Sequence, residues 1–218
     1  MPLKSMIKSA LPHAVRARLV AARKVLLADF QDIYVLPLDA PGPEVSCEDD
    51  VTFSTHDAAA ALELSARVWP DEGAAPARRQ ALARLEAGDR LIIGRIGDEP
   101  VMYGWLAHGM VEMTYGVFVP LRDDIAFSYN VRVHEDHRRR GLLGAYYGFL
   151  HARLRQAGYR RLLAGVARSN PIAAAAHRKA GFRKAGHCYT LGLLRRQVTW
   201  NRLPGLPALR LTNPPARD

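Results

Sequence analysis

From Val51 onward the chain changes its apolar period several times. Val51–Phe53 reads as a short strand. From Asp57 to Trp69 the spacing becomes helical, with Thr55 placed to cap the helix and Pro70 to stop it. Pro76–Ala87 reads as a second helix closed by Gly88. Period two then takes over. Arg90–Ile96, a Gly97-Asp98 turn and Val101–Ala107 make a hairpin signal, Val111–Val119 reads as one long strand, and Ile125–Val133 as another. Gly141–Gln156 returns to the helical period, with Leu143, Tyr147, Leu150 and Leu154 on one stripe. Arg161–Ala167 predicts a strand, Pro171–Lys179 a short helix, and Phe182–Leu194 a last strand. Two helices, an antiparallel meander, then strand–helix–strand–helix–strand imply an α+β domain: a mixed, mostly antiparallel sheet flanked by helices.

The first residues have a different character. Met1–Ala28 contains no acidic residue and six basic ones. Val15, Leu19, Ala22 and Leu26 recur at helical spacing after Pro12, so this segment reads as a basic amphipathic helix. Such a helix lies on an anionic membrane or an acidic protein, packs on its own domain, or is part of a cleaved transit segment. Residues 39–50, with Pro41, Gly42 and Pro43 before Glu48, Asp49 and Asp50, read as a linker. The expected organisation is residues 1–45 as helix and linker, 46–195 as the main domain, and 196–218 as a basic, Pro-containing, irregular tail.

Charge narrows the partners. The 218 residues carry 31 Lys+Arg against 21 Asp+Glu, a formal net charge of +10. That balance favours an anionic partner: nucleic acid, a phosphorylated cosubstrate, an acidic carrier protein or a membrane surface. No nucleic-acid-binding motif accompanies it. Cys47 and Cys188 are far apart and form neither a disulfide framework nor a zinc-ligand pattern. His134-Glu135-Asp136-His137 has the wrong order and spacing for a metalloprotease helix, and three arginines follow it, so no metal is expected. No run approaches 18 consecutive apolar residues, and residues 1–28 lack a signal-peptide core. The expected location is therefore cytoplasmic, or peripheral to a membrane.

The densest chemistry lies at Val131–Leu150, where a strand exits into Arg138-Arg139-Arg140-Gly141 and a helix begins. A helix start presents unpaired N–H groups and the positive end of its dipole. Glycine admits close approach of a ligand, and the arginines add fixed charge, a combination suited to a pyrophosphate. An extended ligand arm would then pair with the end of the preceding strand.

At these residues the sequence resembles the GNAT superfamily of acyl-CoA-dependent N-acyltransferases. Val131-Arg132-Val133 resembles its fourth strand, and Arg138-Arg139-Arg140-Gly141-Leu142-Leu143-Gly144 its pyrophosphate loop. Ser169-Asn170-Pro171 with His177-Arg178-Lys179-Ala180-Gly181-Phe182 resembles its later helix and strand start. Leu143 stands where the family's loop ends in a small residue, glycine following at Gly144. His177 stands where a tyrosine is frequent.

The resemblance implies a GNAT fold and acetyl-CoA (or another acyl-CoA) as cosubstrate, with an amine attacking the thioester directly. It implies cofactor contacts from Val131, Val133, Arg138 through Gly144, Ala145 and Asn170. His177, or Tyr189 on the last strand, would protonate the leaving thiolate, whose pKa is about 8.5; the alternative for His177 is a surface histidine without a role. Glu112, Tyr115 and Tyr129 would line the acceptor side, and by period two Tyr129, Val131 and Val133 share one face. A donor presented by an acyl carrier protein or a membrane-held long-chain acyl-CoA would use the basic first segment instead. A homodimer is compatible with all of this. The acceptor and its pocket, from about residues 57–90, stay open.

Overall fold

The protein was analysed as a computed structural model that describes residues 26–42, 46–56, 74–114, 117–193, 196–202 and 209–212. The expected helices at 12–26 and 57–69 lie outside the described residues, except Leu26, and so does Tyr115. The elements are β1 (Leu26–Pro37), β2 (Val51–His56), α1 (Ala74–Glu86), β3 (Arg90–Ile96), β4 (Glu99–His108), β5 (Met110–Thr114), β6 (Val117–Pro120) and β7 (Ile125–Val133). After them come α2 (Leu142–Gln156), β8 (Arg161–Ala167), α3 (Pro171–Lys179), β9 (Arg183–Leu193), β10 (Arg196–Asn201) and β11 (Leu209–Thr212).

Nine strands form one sheet in the order β11-β10-β9-β1-β8-β7-β4-β3-β2, and β5 and β6 form a separate hairpin. Every pair is antiparallel except β7 with β8, which run parallel around α2. The expected mixed, mostly antiparallel architecture is therefore present.

Three boundaries differ from the sequence reading. Leu26–Pro37, assigned above to the N-terminal unit, is a central strand paired on both sides, to β8 and to β9. The expected tail contributes β10 and β11 to the sheet. Val111–Val119 is a hairpin and not one strand: Val111 pairs with Val119, and Val111, Met113 and Val119 are all buried against Ile33, Ala107 and Phe127. Both arms keep the same alternation, which is why the run looks continuous.

Helix α2 organises one face. Leu142, Tyr146, Tyr147, Leu150 and Leu154 are buried against Tyr34, Leu36, Ile92, Met102, Leu106 and Ala164 of the sheet. The stripe starts at Leu142, one residue before expected; Leu143 packs on its margin. Tyr146 is fully buried, and its hydroxyl meets Ser128 Oγ at 3.2 Å. Gly104 on β4 makes room for it: an added Cβ would lie 2.6 Å from Tyr146 Cζ and overlap the hydroxyl.

Strand β7 fixes the geometry of the rest. Its register against β4 shifts between Tyr103 and Trp105, and Asn130 there has φ 49°. This bulge places one extra residue in β7 and inverts the alternation beyond it. Tyr129 packs on the face away from α2, with Trp105, whereas Val131 and Val133 pack on the α2 face. Tyr129, Val131 and Val133 do not share a face, because the bulge cancels the period-two rule. Strand β7 also leaves β8: their pairing runs from Ile125↔Arg161 to Ser128↔Ala164 and stops. Beyond Ser128 β7 stays paired with β4, and β8 with β1, so the two diverge in the middle of the sheet.

Gly104→Ala is expected to overpack the Tyr146 site and lower stability by about 1–3 kcal/mol, with an unchanged dependence on denaturant concentration. Urea unfolding measures it; an unaffected midpoint would mean that Tyr146 does not occupy this position.

Candidate active site

The opening between β7 and β8 leads to the start of α2. Gly141 caps that helix with φ 88°, and Arg139 has φ 68°. These two left-handed residues stand two positions apart in the loop. Among the described residues, none of the amides from Arg139 to Gly144 donates to a backbone carbonyl; the first to do so is Ala145, to Gly141 O at 3.1 Å. With the positive end of the α2 dipole, these amides make a candidate anion-binding nest. Ala145, an expected contributor, has its N–H committed to the helix.

The three arginines divide. Arg138 and Arg139 are exposed, and Arg138 Nε donates to Val133 O at 3.3 Å, tying the loop to the end of β7. Arg140, its side chain 39% exposed, forms an ion pair with Asp49, whose side chain is 8% exposed. Its charge is shared with that carboxylate. The segment around Asp49 completes the brace: Glu48 N donates to Arg140 O at 3.1 Å, and Cys47 Sγ lies 3.5 Å from the same oxygen. A Cβ on Gly141 would overlap Ser46 O and lie 2.9 Å from Cys47 Cα. The glycine is required by the chain's own backbone and by its φ. Residues 46–50, read as linker, are a support for the loop.

The residues expected to carry proton transfer do not meet at the opening. His177 is 8% exposed; its Nε2 lies 2.9 Å from Tyr147 Oη and its Nδ1 2.8 Å from Ala173 O. Burial lowers its pKa below the usual histidine range. Both nitrogens are engaged inside a Tyr147–Phe182 cluster, so it joins α3 to α2 and is not a surface histidine. Tyr189 lies on β9, with β1 between it and β8; its hydroxyl donates to Asp32 Oδ1 at 3.3 Å and accepts from Arg168 at 2.9 Å. Asn170 caps α3, its Oδ1 accepting from Ala173 N at 3.0 Å.

Tyr129 does stand beside the opening, at the bulge. Its hydroxyl donates to Asp89, and Arg84 lies over both the Tyr129 and Trp105 rings, at 5.1 and 5.2 Å from their centroids. Burial and the Asp89 bond push the Tyr129 pKa upward, with a contribution from the Glu112 charge. Asp89 is itself raised above the usual carboxylate range, mainly by burial. The sequence reading missed Asp89 and Arg84. Both sit at the α1–β3 junction, and only the fold brings them to Tyr129. Among the described residues no cluster of three or more His, Cys, Asp or Glu side chains is arranged around a cation, and no helix is long and apolar enough to cross a membrane.

If Gly141 holds Ser46–Asp49 against the loop, Gly141→Ala should destabilise the protein by about 1–2 kcal/mol from its φ alone. It should also speed alkylation of half-buried Cys47 while leaving buried Cys188 slow. Equal Cys47 reactivity in both proteins would show that the segment is not packed there.

The comparisons agree with this geometry. The sequence matches the family model described as the acetyltransferase (GNAT) family over residues 58–182. No curated protein matches it. Among solved structures, a GCN5-related N-acetyltransferase from Sphaerobacter thermophilus superposes with TM-score 0.55 at 16% identity, over 88% of this chain and 58% of that one. A protein of unknown function from Staphylococcus epidermidis gives 0.54 at 10%, over 83% and 67%. A GNAT-family acetyltransferase from Colwellia psychrerythraea gives 0.53 at 13%, over 83% and 62%. The chain thus spans about three fifths to two thirds of these structures, and at such identities the likeness is one of fold. With the family match covering more than half of its length, this chain belongs to the GNAT acetyltransferase family.

Proposed function

We propose that the protein transfers an acetyl group from acetyl-CoA to an amine by direct attack on the thioester. The observation that carries this reading is the set of unpaired amides from Arg139 to Gly144 at the mouth of the β7–β8 opening. In it the amides and the exposed Arg138 and Arg139 hold the pyrophosphate, and the donor's arm runs along the β7 edge beyond Ser128. A main-chain N–H of Val131 or Val133 polarises the thioester carbonyl.

The amine arrives on the other face, beside Tyr129. An ammonium must lose a proton before it attacks, and Asp89 takes that proton, directly or through a water held by the Tyr129 hydroxyl. Glu112 adds negative charge on the same side, favouring a cationic acceptor. The thiolate leaves without an assigned side-chain acid, since a thiol pKa of about 8.5 makes it a tolerable leaving group. A cytoplasmic location, where CoA thioesters and free thiols coexist, goes with this reading.

Isothermal titration with acetyl-CoA tests the donor site. The unmodified protein should bind at micromolar Kd, and Arg138→Glu with Arg139→Glu should weaken binding about tenfold or more. Equal affinity would remove the loop from the site. Asp89→Asn should lower kcat/KM about 10²-fold at neutral pH in an amine panel followed by thiol release. Because burial raises the Asp89 pKa above 3.8, the base works only once pH has climbed past that elevated value. The rate should therefore fall on the acid side, and the Asn variant should lose that limb.

A further inference from the structure

At the far end of α2, about 20 Å along the helix from the nest, lies a cavity of about 660 Å³. Its walls come from the end of β2, from β3 and β4, and from the C-terminal half of α2 with the turn that follows it. Leu106 and Leu154 supply an apolar floor continuous with the core. Arg90 and Arg153 both line it, and both are exposed. Neither pairs with a carboxylate of a described residue. His108 lines it too, its ring 5.2 Å from that of Tyr159. Both His108 nitrogens are buried without a hydrogen-bond partner among the described residues. Burial and the neighbouring Arg90 charge hold this imidazole below the usual histidine pKa. An imidazole carries at least one N–H, and among the described residues it meets no acceptor.

In one cavity stand a ring with no hydrogen-bond partner and two guanidiniums with no carboxylate partner among the described residues, Arg153 lying over the Phe149 ring at 5.8 Å, above an apolar floor; together they define a ligand chemistry. We infer that this cavity is a second binding site, separate from the thioester site, for an organic anion with an apolar body: a carboxylate or phosphate head held by Arg90 and Arg153, with His108 beside it and the hydrocarbon part on Leu106 and Leu154. The C-terminal end of α2 carries the negative end of the helix dipole, so the attraction comes from side chains alone. Guanidinium forks suit both carboxylate and phosphate, so head-group geometry does not separate the two.

The test uses the full chain with sodium octanoate and octyl phosphate as probes and octanol as the neutral control, followed by the ring C–H NMR signals of His108. At least one anion should shift these signals saturably, also in the presence of saturating CoA. Response to both anions points to any anionic head, response to one identifies which, and either supports the site. Arg90→Ser with Arg153→Ser should weaken that binding about tenfold or more, while its unfolding midpoint and acetyl-CoA affinity stay unchanged. The inference is overturned if neither anion moves His108, if octanol binds as tightly, if CoA displaces the probe, or if the double variant binds as well as the unmodified protein.

Discussion

An interior strand edge with no strand beside it is the constraint on which this structure depends. Backbone N–H and C=O groups are obligatory hydrogen-bonding groups, and sheets leave them unpaired mainly at their outer edges. Here β7 and β8 share only four paired positions before they diverge, in the middle of a nine-stranded sheet. The edge beyond Ser128 is complementary to any extended ligand that can offer amide-like groups. Such an opening persists because both strands stay anchored on their outer sides, β7 to β4 and β8 to β1.

The bulge at Asn130 coordinates the two faces of that opening. By inserting one residue, it sends Val131 and Val133 toward the α2 core and leaves Tyr129 on the side of Asp89 and Arg84. The anchoring apolar side chains and the hydrogen-bonded polar ones thus separate onto opposite faces within a few residues of one strand. The loop that follows depends on a different support. Arg140, the buried Asp49 and the Ser46–Glu48 backbone hold the turn from behind, which frees its amides in front. Gly141 tolerates both the φ and the contact, and no other residue type does so without strain.

What was legible in the sequence follows from this. Strand-type apolar runs bounded by turn residues located β3, β7 and β8 to the residue, the helical period located α2 and α3, and a period of two was used to assign faces. The same rule gave the wrong face for Tyr129, since a bulge changes the count without changing composition. β1 was missed although Ile33, Val35 and Leu36 are buried, because it follows a basic segment and precedes a Pro-Gly-Pro run that look like a separate unit. His177 illustrates another limit. A motif position predicts where a side chain sits along the chain, but its freedom depends on Tyr147, thirty residues earlier, and on the carbonyl of Ala173. Asp89 was invisible for the converse reason: nothing in its local sequence distinguishes it from a turn residue until β7 brings Tyr129 against it.

The two ends of α2 treat anions by opposite physics. At the N-terminus the helix itself supplies the attraction, through free N–H groups and its dipole, and there the arginines that remain exposed reinforce a field already present. At the C-terminus the dipole opposes an anion, and Arg90 and Arg153 must overcome it across an apolar surface. A site of the first kind follows from the fold wherever a strand, a turn and a helix meet in this order. The second kind depends on the particular side chains placed at the cavity, here Arg90, Arg153 and His108.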